Sequence, residues 1–509
     1  MHTNNYVLLM DSYLVFFAFS LALALLILGQ RPHLSSVRKN FQWILRLDQI
    51  SLNAYRIILA LSAFFFILWT LAFWAKHYSF NLDFIDSGIY SNIVFNSSQG
   101  QWFYSSFHKA NAMGEHFSPI MMVFVPFFWI HPSILWLLTA QTAAFAVCPV
   151  ILFFICREVL KNEKLAGQVA LGATVLWFAF PSLTNAVISG IHPSTLSPPF
   201  ILLGFLTLIR NQMKIFWAIM ITLLLFKENL ALIWISFGLY SLLVLKRKSL
   251  GITLILFGGL WGIAVTKWVI PFFGGADMHQ LSRLGPTHFL FLKLKYLIFY
   301  LFLPLGFLSL ANWRAFLMIW PPIFLNLLVQ YTNQFQGKNH YDDVIVPLLF
   351  LTAISGIMSI KKWPQVRNLK LLKARFLMCW FIVPLMFALL YPTGLLIKYF
   401  PNKTHLVIAQ ELQSVHHRWP GKKIHMDHML KSKLNNRENF KSLILNWKGW
   451  KFDSGDLVIL VPALKENNAN RLYKINDYAG TLQFFENNLG SKFKRIDGSF
   501  HFLKIYEVL

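Results

Sequence analysis

The chain has 509 residues, of which 56% are hydrophobic and only 13% charged, with a mean hydropathy of +0.53. That balance excludes a soluble domain of this size: apolar runs of ~17–25 residues recur, each long enough to cross a ~30 Å hydrocarbon core. The net charge of +25 is spread over short loops between those runs. This is how Lys and Arg hold cytoplasmic loops in place, and it does not describe a nucleic-acid-binding face.

In chain order, the sequence predicts spans at 6–29, 57–75, 133–156, 166–184, 195–210, 212–227, 229–245, 250–272, 289–311, 314–331, 344–360 and 376–398, about twelve in all. The first run has no basic residue before it and no small-residue cleavage site after it, so it reads as a retained span. The run 118–130 is too short to cross and reads as re-entrant or interfacial. A single helix over 212–245 would be about 50 Å long, so a hairpin turning at 227–229 is expected instead. Cys148, Cys156 and Cys379 lie in or beside apolar runs with no CxxC, which indicates neither disulfides nor a thiolate metal site.

Basic residues test this topology. Loops 30–56, 157–165, 210–214, 246–248, 312–314 and 361–375 hold twenty Lys and Arg, whereas the alternate loops hold only Lys76, Lys109, Lys227, Arg283 and Lys338. The first set is therefore expected in the cytoplasm. The division that follows is an N-terminal span and basic loop (1–56), a transmembrane domain (57–398) with a first outer loop at 76–118, and a soluble extracytoplasmic α/β domain (399–509). The last carries strand-like runs KKIHM, DLVILVP and FHFLKIYEVL and a helix-like run AGTLQFFENNLG.

The carboxylates follow the opposite rule. Of eleven Asp and Glu in residues 1–398, seven fall on the expected outer side: Asp83, Asp86, Glu115, Glu228, Asp277, Asp342 and Asp343. Topogenesis does not explain that skew, because acids contribute little to orientation. Asp83 and Asp86, in DFIDSGIY, are three residues apart and share one face of a helix. At a membrane boundary such a carboxylate can act as a general base or hold a divalent cation against a phosphate; either can equally cap a helix. The following Trp102, Phe103 and Tyr104 suit an amphipathic interfacial helix.

GEHFSP pairs Glu115 with His116, and these two with Asp86 form the candidate set for a divalent cation, Mg or Mn. IHPSTLSPP places His192 at a Pro-rich helix start, where a plain turn is the competing reading. FKENLAL puts Lys227 and Glu228 between two short apolar runs, and charges at membrane depth usually face a cavity or each other. Lys227 reads as a phosphate partner and Glu228 as its orienter. GKNHYDDVIVP carries His340, Tyr341, Asp342 and Asp343 at the start of a span, and GGADMHQLSRLG carries Asp277, His279 and Arg283.

The order DSGIYSN, GEHFSP, LLTAQTAAF, IHPSTLSPP, KENLAL, NHYDDVIVP resembles the predicted membrane family called domain of unknown function 2079, which is placed among the GT-C type glycosyltransferases; the resemblance runs from about Phe84 to the C-terminus. The family's Asp before Gly-Ile falls on Asp86, its His before Phe on His116, its FHP element on His192, its Lys-Glu on Lys227 and Glu228, and its His-Tyr on His340 and Tyr341. The chain departs from the pattern at Ser91 and Asn92, at Gly190 and at Asn229, where acids or Asp-Gln are usual. The resemblance implies a GT-C-like fold and a sugar taken from a polyprenyl-phosphate donor at the outer leaflet, with Asp86, Asp83, His116 and Glu228 in catalytic roles. It implies donor-phosphate binding by Lys227, His192, His340 and Tyr341. The partners it implies are membrane lipid and the polyprenyl-phosphate sugar, with no nucleic acid, in a bacterial inner membrane. The alternatives are a transporter or flippase of a lipid-linked or small anionic substrate, with Lys227 and Glu228 lining its path, and a non-catalytic scaffold of the same fold. Crowding of polar motifs on one side favours the enzyme, since a transporter needs broken or charged helices on both sides.

Topology reporters fused within 76–118 and after residue 400 are expected to read extracytoplasmic, and those within 361–375 cytoplasmic. A cytoplasmic signal from the C-terminal tail would contradict the alternation.

Overall fold

A computed structural model describes residues 47–82, 85–274, 289–337, 339–360, 370–427, 440–443, 452–464 and 478–509. The expected span 6–29, Asp83, the Asp277–His279–Arg283 loop, Lys338 and the basic run 361–369 lie outside the described residues.

The first long helix, α1 (Leu47–Tyr78), contains neither Gly nor Pro and runs 32 residues. It ends where Phe80 turns into the left-handed region and the Asn81 amide bonds back to Lys76 O at 2.7 Å. A short α2 (Ile85–Ser98) follows, then α3 (Leu135–Leu160) and α4 (Glu163–Ala179). Pro181 bends the chain by 48° between α4 and α5 (Pro181–Ile188). Next come α6 (Pro198–Ile209), α7 (Met213–Leu223), α8 (Ala231–Leu243) and α9 (Lys248–Ala264), which runs on through a π-helical turn to Phe272. The remaining long helices are α10 (Trp320–Leu328), α11 (Ile345–Ile360) and α12 (Lys370–Lys398).

Three described helices are long and apolar enough to cross a membrane, Asn53–Tyr78, Leu135–Leu160 and Lys248–Phe272, with a fourth if the bent α4–α5 pair counts as one. That is far fewer than the sequence predicts. The expected spans at 195–210, 212–227 and 229–245 are helices of 12, 11 and 13 residues, each below the ~17–25 needed to cross alone. The expected span 289–311 breaks into Leu290–Lys295, a π-helical Tyr296–Phe302 and short 3₁₀ turns at Leu303–Leu305 and Leu308–Ala311. Apolar composition is preserved along these stretches, but Pro and polar turns interrupt the helix.

The bundle core lies among α1, α3 and α4. Phe65 stacks on Phe178 with ring centroids 4.2 Å apart, and the buried Trp177 indole donates to Phe145 O at 2.8 Å. Helices α8 and α9 meet on glycine. A Cβ at Gly258 would stand 2.8 Å from Ala231 O, and one at Gly251 2.9 Å from Gly238 O. This close approach clamps the first residue of α8, directly after the Lys227–Asn229 turn.

The tail begins with α13 (Lys403–Arg418) and holds a five-stranded sheet. Its strands are β3 (Ile424–Asp427), β4 (Phe440–Leu443), β5 (Leu457–Leu460), β6 (Phe493–Arg495) and β7 (Lys504–Val508), a two-residue ribbon in the α2–α3 connection providing β1 (Tyr104–Ser105) and β2 (Ala110–Asn111). The sheet order is β4-β3-β5-β7-β6, with β3 parallel to β4 and β5, and β7 antiparallel to β5 and β6. All four residues of β5 are buried because both faces are covered. Ile408, Leu412 and Val415 of α13 pack one face, and Phe485 of α14 (Tyr478–Asn487) packs the other. Phe80, from the α1–α2 connection, completes the first of these two cores.

The loop entering α11 is anchored by buried carboxylates. The Tyr296 hydroxyl donates to Asp342 Oδ1, and Asn326 Nδ2 donates to Tyr296 Oη at 3.1 Å and to Tyr341 O at 3.4 Å. Burial pushes Asp342 up to about 7, against the pull of the Tyr296 hydrogen bond. Burial likewise pushes Asp343 up to about 7, although the Ser194 hydroxyl and the Lys227 ammonium draw it down.

Two expectations follow from this packing. Gly258→Ala forces the α9 backbone away from Ala231 and is expected to cost about 1–3 kcal/mol of stability, read as a lower melting temperature; an unchanged melt would mean the helix pair yields freely. Asp342 and Asp343 bind their protons more tightly folded than at their ordinary 3.8, so the stability they contribute is present at low pH and is lost as pH rises from about 4 through 7. The melting temperature of the purified protein is expected to fall between pH 5 and pH 8, and Asp343→Asn to remove on the order of 2–4 °C of that fall. An identical pH slope in the variant would contradict this.

Candidate active site

Between α1 and α3 the chain is folded by two asparagines. Asn92 Oδ1 accepts from the Ser106 amide at 2.9 Å, and Asn96 Nδ2 donates to Tyr104 O and Ser106 Oγ, each at 3.0 Å. Gly100 and Phe103 both adopt positive φ, so α2 ends at Ser98 and the following residues return as β1 and β2. Trp102, Phe103 and Tyr104 therefore do not form the interfacial helix expected from their composition. Trp102 is exposed in a turn, and Tyr104 opens β1.

The segment after β2 is fixed to the α7–α8 turn. Glu228, with a side chain only 3% exposed, accepts from His116 Nδ1 at 2.9 Å and from the Phe117 amide at 3.1 Å. The Ile120 amide donates to Leu225 O at 3.0 Å, and Pro119–Ile130 continues as two short helical turns. Burial alone would raise the Glu228 carboxyl; the His116 charge and hydrogen bond, with Lys227, overcome it and hold the group down at about 2. Glu228 is thus an ionised strut between two loops that are more than a hundred residues apart in sequence.

A second junction joins the His192 turn to the loop before α11. The His192 and His340 rings stack at 3.4 Å between centroids and 17° between planes, and Tyr341 lies 4.3 Å from His340. His192 Nε2 is 3.7 Å from Asp86 Oδ2, an ion-pair separation longer than a hydrogen bond. Burial lowers His192 to about 4, with Asp86 opposing and Lys227 and His116 adding to the shift. Burial, His192 and Lys227 push His340 well below its ordinary value. Both imidazoles are neutral near pH 7, so each carries a single N–H, and His192 bonds the Ser189 backbone.

These groups border one cavity of ≈ 270 Å³, whose lining includes Asp86, Tyr90, Glu115, His116, His192, Lys227, Asn229, Asn326, Gln334, His340 and Tyr341. The structure thus gathers Asp86, His116, His192, Lys227, His340 and Tyr341 from four separate connections, with Glu228 directly behind His116. Lys227 is only 7% exposed, and among the described residues no carboxylate stands within ion-pair distance of its ammonium. Sequence reading passed over Tyr90, Asn326 and Gln334 as site residues; Tyr90 is legible as the residue one helical turn after Asp86. A second cavity of ≈ 320 Å³, at Arg157, Glu158, Lys161 and Arg210, shares no residue with the first, and there Arg210 is already paired to Glu158 at 2.7 Å.

Asp86, Glu115 and His116, the set expected for a divalent cation, all border the cavity, and each has another neighbour: Asp86 has His192 at 3.7 Å, His116 is held by Glu228, and Glu115 lies 3.4 Å from His108 Nε2. Among the described residues, no three His, Cys, Asp or Glu side chains are grouped to hold an ion.

Solved structures resemble this fold, among them two of one protein. The crystal structure of ArnT from Cupriavidus metallidurans bound to undecaprenyl phosphate matches with a TM-score of 0.52 at 12% identity, over 92% of this chain and 98% of that one. The apo form of the same protein matches with a TM-score of 0.50 at 12% identity over the same shares. At that identity the likeness is one of fold, the GT-C type, and no curated protein matches the chain. A family model described as a predicted membrane protein, domain of unknown function 2079, matches residues 76–415. That match takes in every cavity residue named above and more than half of the sequence, and the chain belongs to this family of predicted membrane proteins.

Proposed function

We propose that the protein is an integral-membrane glycosyltransferase that moves a sugar from a polyprenyl-phosphate donor to an acceptor at the outer face of the membrane. The observation that carries this reading is Lys227, a nearly buried ammonium that borders the cavity with no carboxylate partner among the described residues. A buried unpaired charge is costly, and an anionic ligand relieves that cost. The neutral His340 imidazole beside it can add an N–H donor, which suits a phosphate better than a carboxylate-lined cation path would. The likeness in fold to a protein crystallised with undecaprenyl phosphate supports the same ligand class.

In this reading Lys227, His192 and His340 hold the donor phosphate. Asp86, with a side chain 47% exposed at the same cavity, is reachable by an acceptor from outside. The bond from the anomeric carbon to the phosphate oxygen breaks, and the polyprenyl phosphate leaves with the electron pair. The acceptor's oxygen or nitrogen bonds to that carbon, and its proton passes to Asp86. Glu228 positions His116 and the loop before Pro119 and does not itself reach substrate. Among the described residues no three His, Cys, Asp or Glu side chains are grouped to hold a metal ion, and no step is assigned to one. The C-terminal sheet and the cavity share the extracytoplasmic side expected from the distribution of Lys and Arg.

Asp86→Asn keeps size and polarity and removes the charge. Transfer from a polyprenyl-phosphate sugar is expected to fall about 10²–10⁴-fold, while donor binding changes little. Lys227→Ala is expected to show the reverse balance, losing donor affinity first. Full transfer by Asp86→Asn would remove the carboxylate from the mechanism. If no polyprenyl-linked sugar is transferred while flux of an anionic substrate across vesicles depends on Lys227 and Glu228, a transporter replaces the enzyme.

A further inference from the structure

Tyr90 lies on α2 one turn beyond Asp86, on the same helix face. Its side chain is more than nine-tenths buried, its ring stands edge-on to His192 at 6.1 Å, and it borders the cavity. Among the described residues nothing hydrogen-bonds its hydroxyl. Three further polar atoms of residues that line the cavity are also unpartnered among the described residues, His192 Nε2, Asn229 Oδ1 and Gln334 Oε1. Buried polar groups left unsatisfied are costly, so a wall carrying one O–H donor, two amide acceptors and an imidazole nitrogen is built for a ligand that both accepts and donates hydrogen bonds. Hydroxyl groups do both.

The charges around Tyr90 narrow the class. Its hydroxyl feels the carboxylates of Asp86, Glu115 and Glu228, which together with burial keep the phenol well above its ordinary value and hence a donor. His340 feels the Lys227 ammonium, and His192 feels both Lys227 and, more strongly, Asp86 at 3.7 Å. The cavity therefore has a cationic wall and an acidic wall. A ligand with one phosphate on the first and an uncharged hydroxylated group on the second is complementary to both; a second anion near Asp86 and Glu115 is repelled.

We propose that Tyr90, with Asn229 and Gln334, reads the hydroxyls of the donor sugar beside the phosphate, and that this sugar carries no acidic group. The inference rests on the donor reading above and adds to it a specificity-determining residue and a substrate class.

The test is a binding comparison with the full-length protein in detergent. The probes are the methyl diester of undecaprenyl phosphate, the glucose, galactose and mannose diesters, and the glucuronic acid diester, all of which share one phosphate charge. The best of the three neutral sugars is expected to bind about 3- to 10-fold tighter than the methyl diester, the equivalent of one neutral hydrogen bond. Tyr90→Phe is expected to abolish that gain and leave the methyl diester affinity unchanged, which also shows that the variant is folded. The glucuronic acid diester is expected to bind more weakly than its glucose counterpart. A gain that survives in Tyr90→Phe, an equal loss for the methyl diester, or tight binding of the glucuronic acid diester overturns the inference. Methyl diester binding that ignores Lys227→Ala strikes instead at the donor reading, and this inference falls with it.

Discussion

The site depends on one buried carboxylate. Glu228 accepts from His116 Nδ1 and from the Phe117 amide, and so ties the segment after β2 to the turn between α7 and α8. It acts with the Ile120 amide bond to Leu225 O and the close α8–α9 contact to hold both elements in place. The segment at Pro119–Ile130 is too short to cross a membrane, and α7 and α8 are each short as well. An ionised group at this depth is tolerated only when its lone pairs are satisfied, and an imidazole and a backbone amide do this together. The same turn carries Lys227, so the strut also fixes where the cavity's buried cation is presented.

Around that turn the remaining side chains divide by charge. Lys227 and the stacked imidazoles of His192 and His340 make one wall, and Asp86, Glu115 and Tyr90 make another. The imidazole stack is compatible with burial because both rings are neutral; two imidazolium rings 3.4 Å apart would repel each other. Asp342 and Asp343 sit behind this stack, and the Tyr296–Asp342–Asn326 network holds the His340–Tyr341 backbone in place. Buried carboxylates near their neutral form serve this purpose, since they offer hydrogen bonds without placing full negative charge beside Lys227.

Much of this was legible in the sequence, and the illegible part has physical causes. Charged residues within apolar runs are costly, so Lys227 and Glu228 announced themselves, and a hairpin was expected at the place where the chain turns. His116, His192 and His340 were readable as polar groups flanked by Pro or Gly at the ends of apolar runs. Their pairings were not readable, because His116–Glu228 and His192–His340 are long-range contacts that no local pattern encodes. Fewer long continuous helices are described than spans were expected because hydropathy measures composition and not helix continuity: the apolar stretch 289–311 passes from α-helix through a π-helical Tyr296–Phe302 into short 3₁₀ turns. Trp102, Phe103 and Tyr104 misled for a related reason, as their amphipathic pattern is cut by the positive φ of Gly100 and Phe103. Strands fall on KKIHM, DLVILVP and FHFLKIYEVL, as their β-branched and aromatic runs suggested, whereas the short β6 and the helix α13 carry weaker patterns and passed unnoticed.

The central claim is that the buried Lys227 ammonium is the anchor of a lipid phosphate. The most direct measurement is a structure of the full-length protein in a lipid nanodisc with undecaprenyl phosphate added. The account predicts phosphate density within ~3–4 Å of Lys227 Nζ, flanked by His192 and His340, with the polyprenyl chain leaving toward the bilayer. Phosphate density at the Arg157–Arg210 cavity with the Lys227 cavity filled only by water would contradict it.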